Sequence, residues 1–294
     1  MRLTLDIGGS KTRGVLLHGN KEETFSVVGG FGRAAEDDEV IDGLYTGLRN
    51  VVHAWERIER VAVNLGGKNK EQIWRTVSAA FPSATVLVFR ESEGDVALKM
   101  LSLFSCDVLV MAGTGCIAFA KSDKGTRVLD GWGKDFGDDG SGYAIGNRAL
   151  RYACKELDGG GRLSLLTKRL TGFTQAFDFA CIRDYTLARD TVRQRFPAER
   201  EAVAAIAKTV VACAEEGCAL SQKILNECGE SIAEIALRAE KNAGLNNASI
   251  LLNGGLTRCY AFWEKAFKEK VGARRVLCMD DGIDRALKNI VSEE

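Results

Sequence analysis

From its first residues the chain alternates. Arg2–Ile7 sets Leu3, Leu5 and Ile7 on one face and Thr4 and Asp6 on the other, then stops at Gly8-Gly9-Ser10-Lys11-Thr12. A period of two closed by glycines predicts a strand. Arg13–His18 resumes a β-prone run, which makes a hairpin around a Gly-rich turn, and Thr24–Val28 predicts a third strand. The period then lengthens. Val40, Ile41, Leu44, Leu48, Val51, Val52 and Trp55 recur at helical spacing within Asp37–Glu56. A strand over Arg60–Leu65 ending at Gly66-Gly67, a helix over Lys70–Ala80, a strand over Ala84–Phe89 and a helix over Ser92–Phe104 complete a βββαβαβα order.

The pattern then restarts. Asp107–Ala112 is an apolar strand ending in Gly113-Thr114-Gly115, and Cys116–Lys121 and Arg127–Leu129 complete a second three-strand meander. A helix follows from about Ser141 to Lys155, and Gly159-Gly160-Gly161 breaks it. Leu163 to about Cys228 reads as mainly helical, and Glu230–Asn242 as a further helix. Ser249–Leu252 predicts a short buried strand stopped by Asn253-Gly254-Gly255. A helix (Arg258–Lys268), a strand (Arg275–Met279) and a helix (Ile283–Val291) follow. A strand, glycine turn, strand unit thus occurs twice, about a hundred residues apart. This predicts two related α/β domains, the second with a helical insertion, and a ligand cleft between them lined by the glycine turns.

Composition narrows the chemistry. The 294 residues are 46% apolar, with 40 Lys+Arg against 40 Asp+Glu. No positive field is present for nucleic acid, so no nucleic-acid partner is expected. No apolar run is long enough for a membrane span, and no signal peptide is read at the N-terminus, so a cytoplasmic protein is expected. The nine Cys form no CxxC or Cys/His pair with zinc spacing, and with two His in the chain they read as structural thiols.

The glycine turns carry the candidate chemistry. Asp6 to Thr12 gathers backbone N–H groups, two hydroxyls and an ammonium at one bend, and Ala112 to Gly115 offers a second such bend. Concave sets of N–H groups bind phosphate oxygens, so two facing turns would clamp a polyphosphate. Asp6, ending a strand beside the first turn, suits a hydrated Mg²⁺. Neither turn is a Walker motif, and the first is not GxGxxG. Phosphoryl transfer also needs a carboxylate for the acceptor hydroxyl's proton, and Glu91, Glu93 and Asp95 at a helix start are the candidates. Between Asp130 and Arg151 lie six Gly among Trp132, Lys134, Asp135, Asp138, Asp139 and Ser141. So dense a mixture of glycine and carboxylate suits a polar, hydroxyl-rich ligand better than a packed core.

These turns, in this order, resemble the sugar-kinase/Hsp70/actin superfamily. More narrowly, GWGKDFGDDGSGYAIG at 131–146, AGTG at 112–115, NGG at 253–255 and GGSKT at 8–12 resemble the N-acetylglucosamine kinase branch of the BadF/BadG/BcrA/BcrD ATPase family. The resemblance implies two ribonuclease H-like domains in an actin-like ATPase fold. The first would be 1–105 joined by the C-terminal helix 282–294, the second 106–281. It implies ATP and Mg²⁺ as cofactors, a sugar as substrate and a homodimer. Asp6 would organise Mg²⁺. Gly8, Gly9, Ser10, Lys11, Thr12, Gly113, Thr114, Gly115, Gly254 and Gly255 would hold ATP. Gly131, Trp132, Gly133, Lys134, Asp135 and Asp138 would face the sugar, with Cys116 and Ile117 at its edge. Glu93 aligns with the family's catalytic Asp.

Four positions depart from the family. The base is Glu93 rather than Asp, and Glu91 or Asp95 could serve instead. Gly29-Gly-Phe-Gly-Arg33 lacks the expected sugar-contacting Asn. Cys116 replaces Ser, and Glu-Glu-Gly-Cys218 replaces a Gly-Asp pair. The two phosphate turns are intact while the losses fall on the acceptor side. That pattern argues for ATP binding with a changed or lost acceptor, while the intact Trp132 and Asp138 keep the expectation on ATP-dependent phosphorylation of a hexosamine such as N-acetylglucosamine or glucosamine. An ATP- or sugar-binding protein with altered or lost kinase activity is the first alternative, and a dehydratase-activating ATPase the second.

Overall fold

In the computed structural model of the chain, two five-stranded mixed sheets repeat one plan. It describes all residues except 9–10, 29–37, 54, 66–69, 91–94, 124, 160, 175, 177–181, 196–198 and 294, and leaves out the side chains at 11, 28, 38–41, 51, 55, 90, 95, 182–184 and 188. The first sheet contains β1 (Arg2–Ile7), β2 (Lys11–His18), β3 (Lys21–Val28), β4 (Arg60–Leu65) and β5 (Thr85–Arg90), ordered β3-β2-β1-β4-β5. The second contains β6 (Val108–Ala112), β7 (Cys116–Ser122), β8 (Gly125–Asp130), β9 (Ile250–Asn253) and β10 (Val276–Met279), ordered β8-β7-β6-β9-β10. In both, an antiparallel meander is extended by two strands parallel to its first. The expected repeat is therefore present strand for strand.

The helices are α1 (Asp38–Val51), α2 (Lys70–Ala80), α3 (Asp95–Leu103), α4 (Gly142–Asp158), α5 (Leu165–Thr171), α6 (Ile182–Arg195), α7 (Arg200–Glu215), α8 (Ala219–Asn242), α9 (Glu264–Val271) and α10 (Gly282–Ser292). Alternation along the strands sorts them into three buried layers. Leu3, Leu5, Ile7, Val61, Val63 and Leu65 pack on α1 and α2 through Leu44, Leu48, Ile73 and Val77. Ala62, on the opposite face, joins Val96, Met100 and Leu101 of α3, Ala286, Leu287 and Val291 of α10, and Leu109, Phe119 and Leu251 of the second sheet. These two helices thus lie between the sheets, and α10 packs on β1 and β4. Val108, Val110 and Ala112 face the third layer, with α4, α5, α7, α8 and α9. Among the described residues no helix is long and apolar enough to cross a membrane.

The helix expected over Asp37–Glu56 ends at Val51, and Trp55–Arg57 forms a separate 3-10 turn. Three further elements differ from expectation, each for a tertiary reason. The third strand begins at Lys21 rather than Thr24, because Lys21, Glu22 and Glu23 pair with β2 on a sheet edge, where charge is tolerated. The helix break expected between Cys228 and Glu230 does not occur. Gly229 lies within the 24-residue α8, where a Cβ would sit 2.8 Å from both the Cβ and the carbonyl oxygen of Trp263. The glycine there permits close packing instead of ending the helix. The helix expected over Arg258–Lys268 is a 3-10 segment (Gly255–Phe262) followed by α9, with the bend at Trp263 (φ −126°, ψ 0°). That bend turns Trp263, 1% exposed, edge-on to Tyr260 and Phe267 in the core.

Candidate functional site

The glycine turns sit where parallel strands end, the usual ligand side of such sheets. In the first sheet, register pairs Asp6 of β1 with Asn64 of β4. Asn64 Nδ2 donates to Asp6 Oδ1 at 2.9 Å, so the amide's orientation follows from the carboxylate it serves. Asn64 is 1% exposed, yet its Oδ1 has no hydrogen-bond partner. Thr12 pairs with Ile7 and so points to the opposite, α1–α2 face, where its buried hydroxyl is also unpaired. Gly8 follows β1 half-buried. Gly9 and Ser10 lie outside the described residues, as do the side chain of Lys11, all of Glu91 and Glu93, and the side chain of Asp95.

The second turn is braced on all sides. Gly113 N–H donates to the Gly115 carbonyl at 2.9 Å. The first two amides of α4, on Gly142 and Tyr143, donate to the carbonyls of Gly113 and Thr114 at 2.8 and 3.2 Å. Ser141 caps the same helix by accepting from Ala144 N–H. Asp138 Oδ1 accepts from Cys116 N–H at 2.9 Å, and Asp138 Oδ2 accepts from Arg200 Nη2 at the start of α7. This pair is almost dry, with side chains 2% and 12% exposed. The buried Cys116 thiol is pushed well above its ordinary value by burial first, then by the charges of Asp130 and neighbouring carboxylates. It is a neutral thiol, not a nucleophile.

The loop from Asp130 to Gly140 is pinned at its ends and displayed in its middle. Asp130, Gly131, Gly133 and Asp138 all take positive φ (61°, 75°, 89° and 64°). A non-glycine residue there stores strain that the surroundings must hold. Asp130 supplies that hold: Oδ1 accepts from Gly131 and Asp138 N–H at 3.1 and 3.3 Å, and Oδ2 pairs with Arg238 at 3.1 Å. Ile117 packs against Gly131. Lys134 pairs with its neighbour Asp135, while Trp132 and Phe136 stand 77% and 86% exposed.

The third turn carries Gly254 at φ 111° and ψ 179°, against the backbone of Ala112 at the end of β6. Asn253, fully buried, accepts from Gly282 N–H at 3.0 Å and so ties this turn to α10. Two residues further, Asp284 pairs with Arg13 of β2 at 3.1 Å. Burial pushes the Asp284 carboxyl above its ordinary value, against the pull of Arg13. Thus α10 links the strand after the first turn to the third turn.

The structure brings Gly113–Gly115, Cys116, Asp138 and Gly254 together at one end of the second sheet. Asp6 lies at the corresponding end of the first. Asn64, Asp130, Arg200 and Asp284 were not anticipated. Asn64 had a signal, a lone amide closing an apolar strand, whereas Arg200 is an unremarkable Arg-Glu at the start of a helix. An open groove of about 610 Å³, lined by Asp42, Tyr45 and Arg75 on α1 and α2, lies apart from these turns.

A hard divalent cation takes oxygen ligands, and Mg²⁺ uses one or two carboxylates with water and phosphates rather than an all-protein cage. The Asp6 carboxylate beside the unpaired Asn64 Oδ1 fits that description. Among the described residues no three His, Cys, Asp or Glu side chains gather into a cage.

The chain is similar in sequence or in fold to several known proteins. A Clostridium acetobutylicum N-acetylmuramic acid/N-acetylglucosamine kinase is 25% identical over 154 residues, 50% of this chain and 48% of that protein, so the match spans about half of that relative's length. A proposed N-acetylglucosamine kinase of Porphyromonas gingivalis superposes with a TM-score of 0.71 at 15% identity, covering 99% of this chain and 100% of the other. A ROK family glucokinase of Streptomyces griseus, solved with glucose and AMPPNP, gives 0.60 at 13% identity, covering 99% and 97%. At such identities the structural likeness establishes the fold alone, which this chain shares with those two proteins. The sequence pattern of one family runs through residues 3–278, and the chain belongs to that family, the BadF/BadG/BcrA/BcrD ATPases.

Proposed function

We propose that the protein is an ATP-dependent sugar kinase that transfers the γ-phosphate to a hydroxyl of a hexosamine such as N-acetylglucosamine or glucosamine. The observation that carries this reading is the second glycine turn, held by α4, Asp138 and Arg200 beside the displayed loop of Trp132 and Lys134. Family membership and the amino-sugar kinase among its relatives support the substrate class.

In this reading the chain divides into 1–105 with 282–294 and 106–281, and the packing of α10 on β1 and β4 supports that division. Gly8–Lys11 and Gly113–Gly115 bind phosphates from two sides, Thr12 being turned away into the α1–α2 core, and Gly254 and Gly255 flank the adenosine. Asp6, steadied by Asn64, holds Mg²⁺, which when bound neutralises charge on the transferring phosphoryl group. Trp132, Lys134 and Asp135 face the sugar. Glu93 takes the proton of the attacking hydroxyl, with Glu91 and Asp95 as its rivals. Closure of the two halves excludes water and limits futile hydrolysis. A cytoplasmic homodimer is part of the same proposal.

Coupled ADP release across a sugar panel tests it. Turnover should depend on an amino sugar and fall at least about a hundredfold in Glu93→Gln. Turnover unaffected by any sugar at millimolar concentration contradicts it.

One observation favours a second reading. Asp138, expected to face the sugar, has both carboxylate oxygens engaged within the protein. A nucleotide-binding protein with altered acceptor chemistry would bind ATP tightly, turn over no sugar and be indifferent to Glu93→Gln.

A further inference from the structure

Arg200 is an arginine in an unfavourable place. It is the first residue of α7, where the helix dipole disfavours a cation, and its side chain is 12% exposed. Its guanidinium reaches the almost fully buried Asp138, whose other oxygen accepts from Cys116 N–H, the first amide after Gly113-Thr114-Gly115. It also lies directly on the turn: a Cβ on Gly115 would stand 2.1 Å from Arg200 Nη2 and 2.8 Å from Asp138 Oδ1. Arg200 Nε is buried with no acceptor. A buried donor left unpaired beside an N–H-rich turn marks a network still short of an anion.

We propose that Arg200 is the positioning residue of the second glycine turn. Acting through Asp138, it fixes Cys116 and with it the phosphate-binding shape of Gly113–Gly115. Asp138 is then a strut of the phosphate side more than a ligand of the sugar, and the absence of a side chain at Gly115 leaves room for the guanidinium. The inference rests on the reading that this turn holds phosphates.

Calorimetric titration of the full chain with AMPPNP and with adenosine, both in Mg²⁺, separates the two. The wild type should bind AMPPNP more tightly than adenosine; equal affinities would overturn the phosphate reading itself, and this inference with it. Given that difference, Arg200→Ala should lose roughly 10- to 100-fold in AMPPNP affinity, the usual effect of deleting a buried charged hydrogen bond, with adenosine affinity unchanged. Arg200→Lys should recover part of the loss. Gly115→Ala should also weaken AMPPNP, but in the Arg200→Ala background its closest contact is gone and the Asp138 oxygen at 2.8 Å is what it still meets, so the methyl should add a smaller loss than it causes alone. Asp138→Asn, isosteric, should reproduce the selective loss and carries the test should Arg200→Ala not fold. Wild-type AMPPNP affinity in Arg200→Ala or Asp138→Asn, parallel loss of both ligands, or multiplicative losses in the double variant would overturn the proposal.

Discussion

Adding one methyl group at Gly254 tests whether the third turn is built as described. Gly254 lies at φ 111° and ψ 179°, a region open essentially to glycine alone, so any side chain there costs about 1–3 kcal/mol in backbone strain. The Cβ would also sit 2.5 Å from the Ala112 carbonyl oxygen and 2.9 Å from its carbon. Both are backbone atoms of a central strand, which cannot swing aside as a side chain could, so overpacking adds about 1–3 kcal/mol. The sum is about 2–6 kcal/mol, and at about 2–4 °C per kcal/mol the melting temperature of Gly254→Ala should fall by on the order of 5–20 °C. Gly255→Ala is the matched control. A Cβ there meets nothing within 4 Å and its φ is not positive, so its melting temperature should stay near that of the wild type. Circular dichroism melts of the three proteins decide the matter. A Gly254→Ala protein melting within about 2 °C of the wild type, or a Gly255→Ala protein falling as far, would refute the geometry.

Gly229→Ala should cost about 1–3 kcal/mol, read as a lower urea midpoint at unchanged slope, because its methyl meets Trp263 across the α8 packing. Asp284→Asn should stabilise the protein at neutral pH. Burial raises the native carboxyl above its ordinary 3.8, so the stability this group contributes is complete below 3.8 and is lost as pH rises through the native value. The gain in melting temperature should therefore be present at pH 7 and vanish near pH 3, and the reverse profile would contradict it. Asn64→Leu should leave metal-free AMPPNP binding intact but reduce the increment from Mg²⁺ by about tenfold, the effect of removing a ligand's supporting partner; an unchanged increment would detach Asn64 from the cation site.

The parts legible in the sequence are those governed by local rules. Alternation at Arg2–Ile7, the glycines closing it and the same unit restarting at Asp107 led to two matching sheets, and their observed order repeats strand for strand. The residues that escaped prediction answer to distant partners. Gly229 reads as a breaker until Trp263 is seen against it. Arg200 carries no signal in the sequence, and only the fold brings it to Asp138. Asp138 has the composition of a ligand, yet its left-handed backbone and two engaged oxygens turn it inward. Asn64 could have been noticed, because an amide ending a buried strand beside a carboxylate needs a reason to be there.

The most direct measurement follows the phosphorus. ATP labelled at the γ-phosphate is incubated with the full chain, Mg²⁺ and N-acetylglucosamine or glucosamine, and the products are separated. Label in a sugar phosphate, lost in Glu93→Gln, is the predicted result. Label that stays in ATP, or appears solely as inorganic phosphate whichever sugar is present, would contradict the assignment as a sugar kinase.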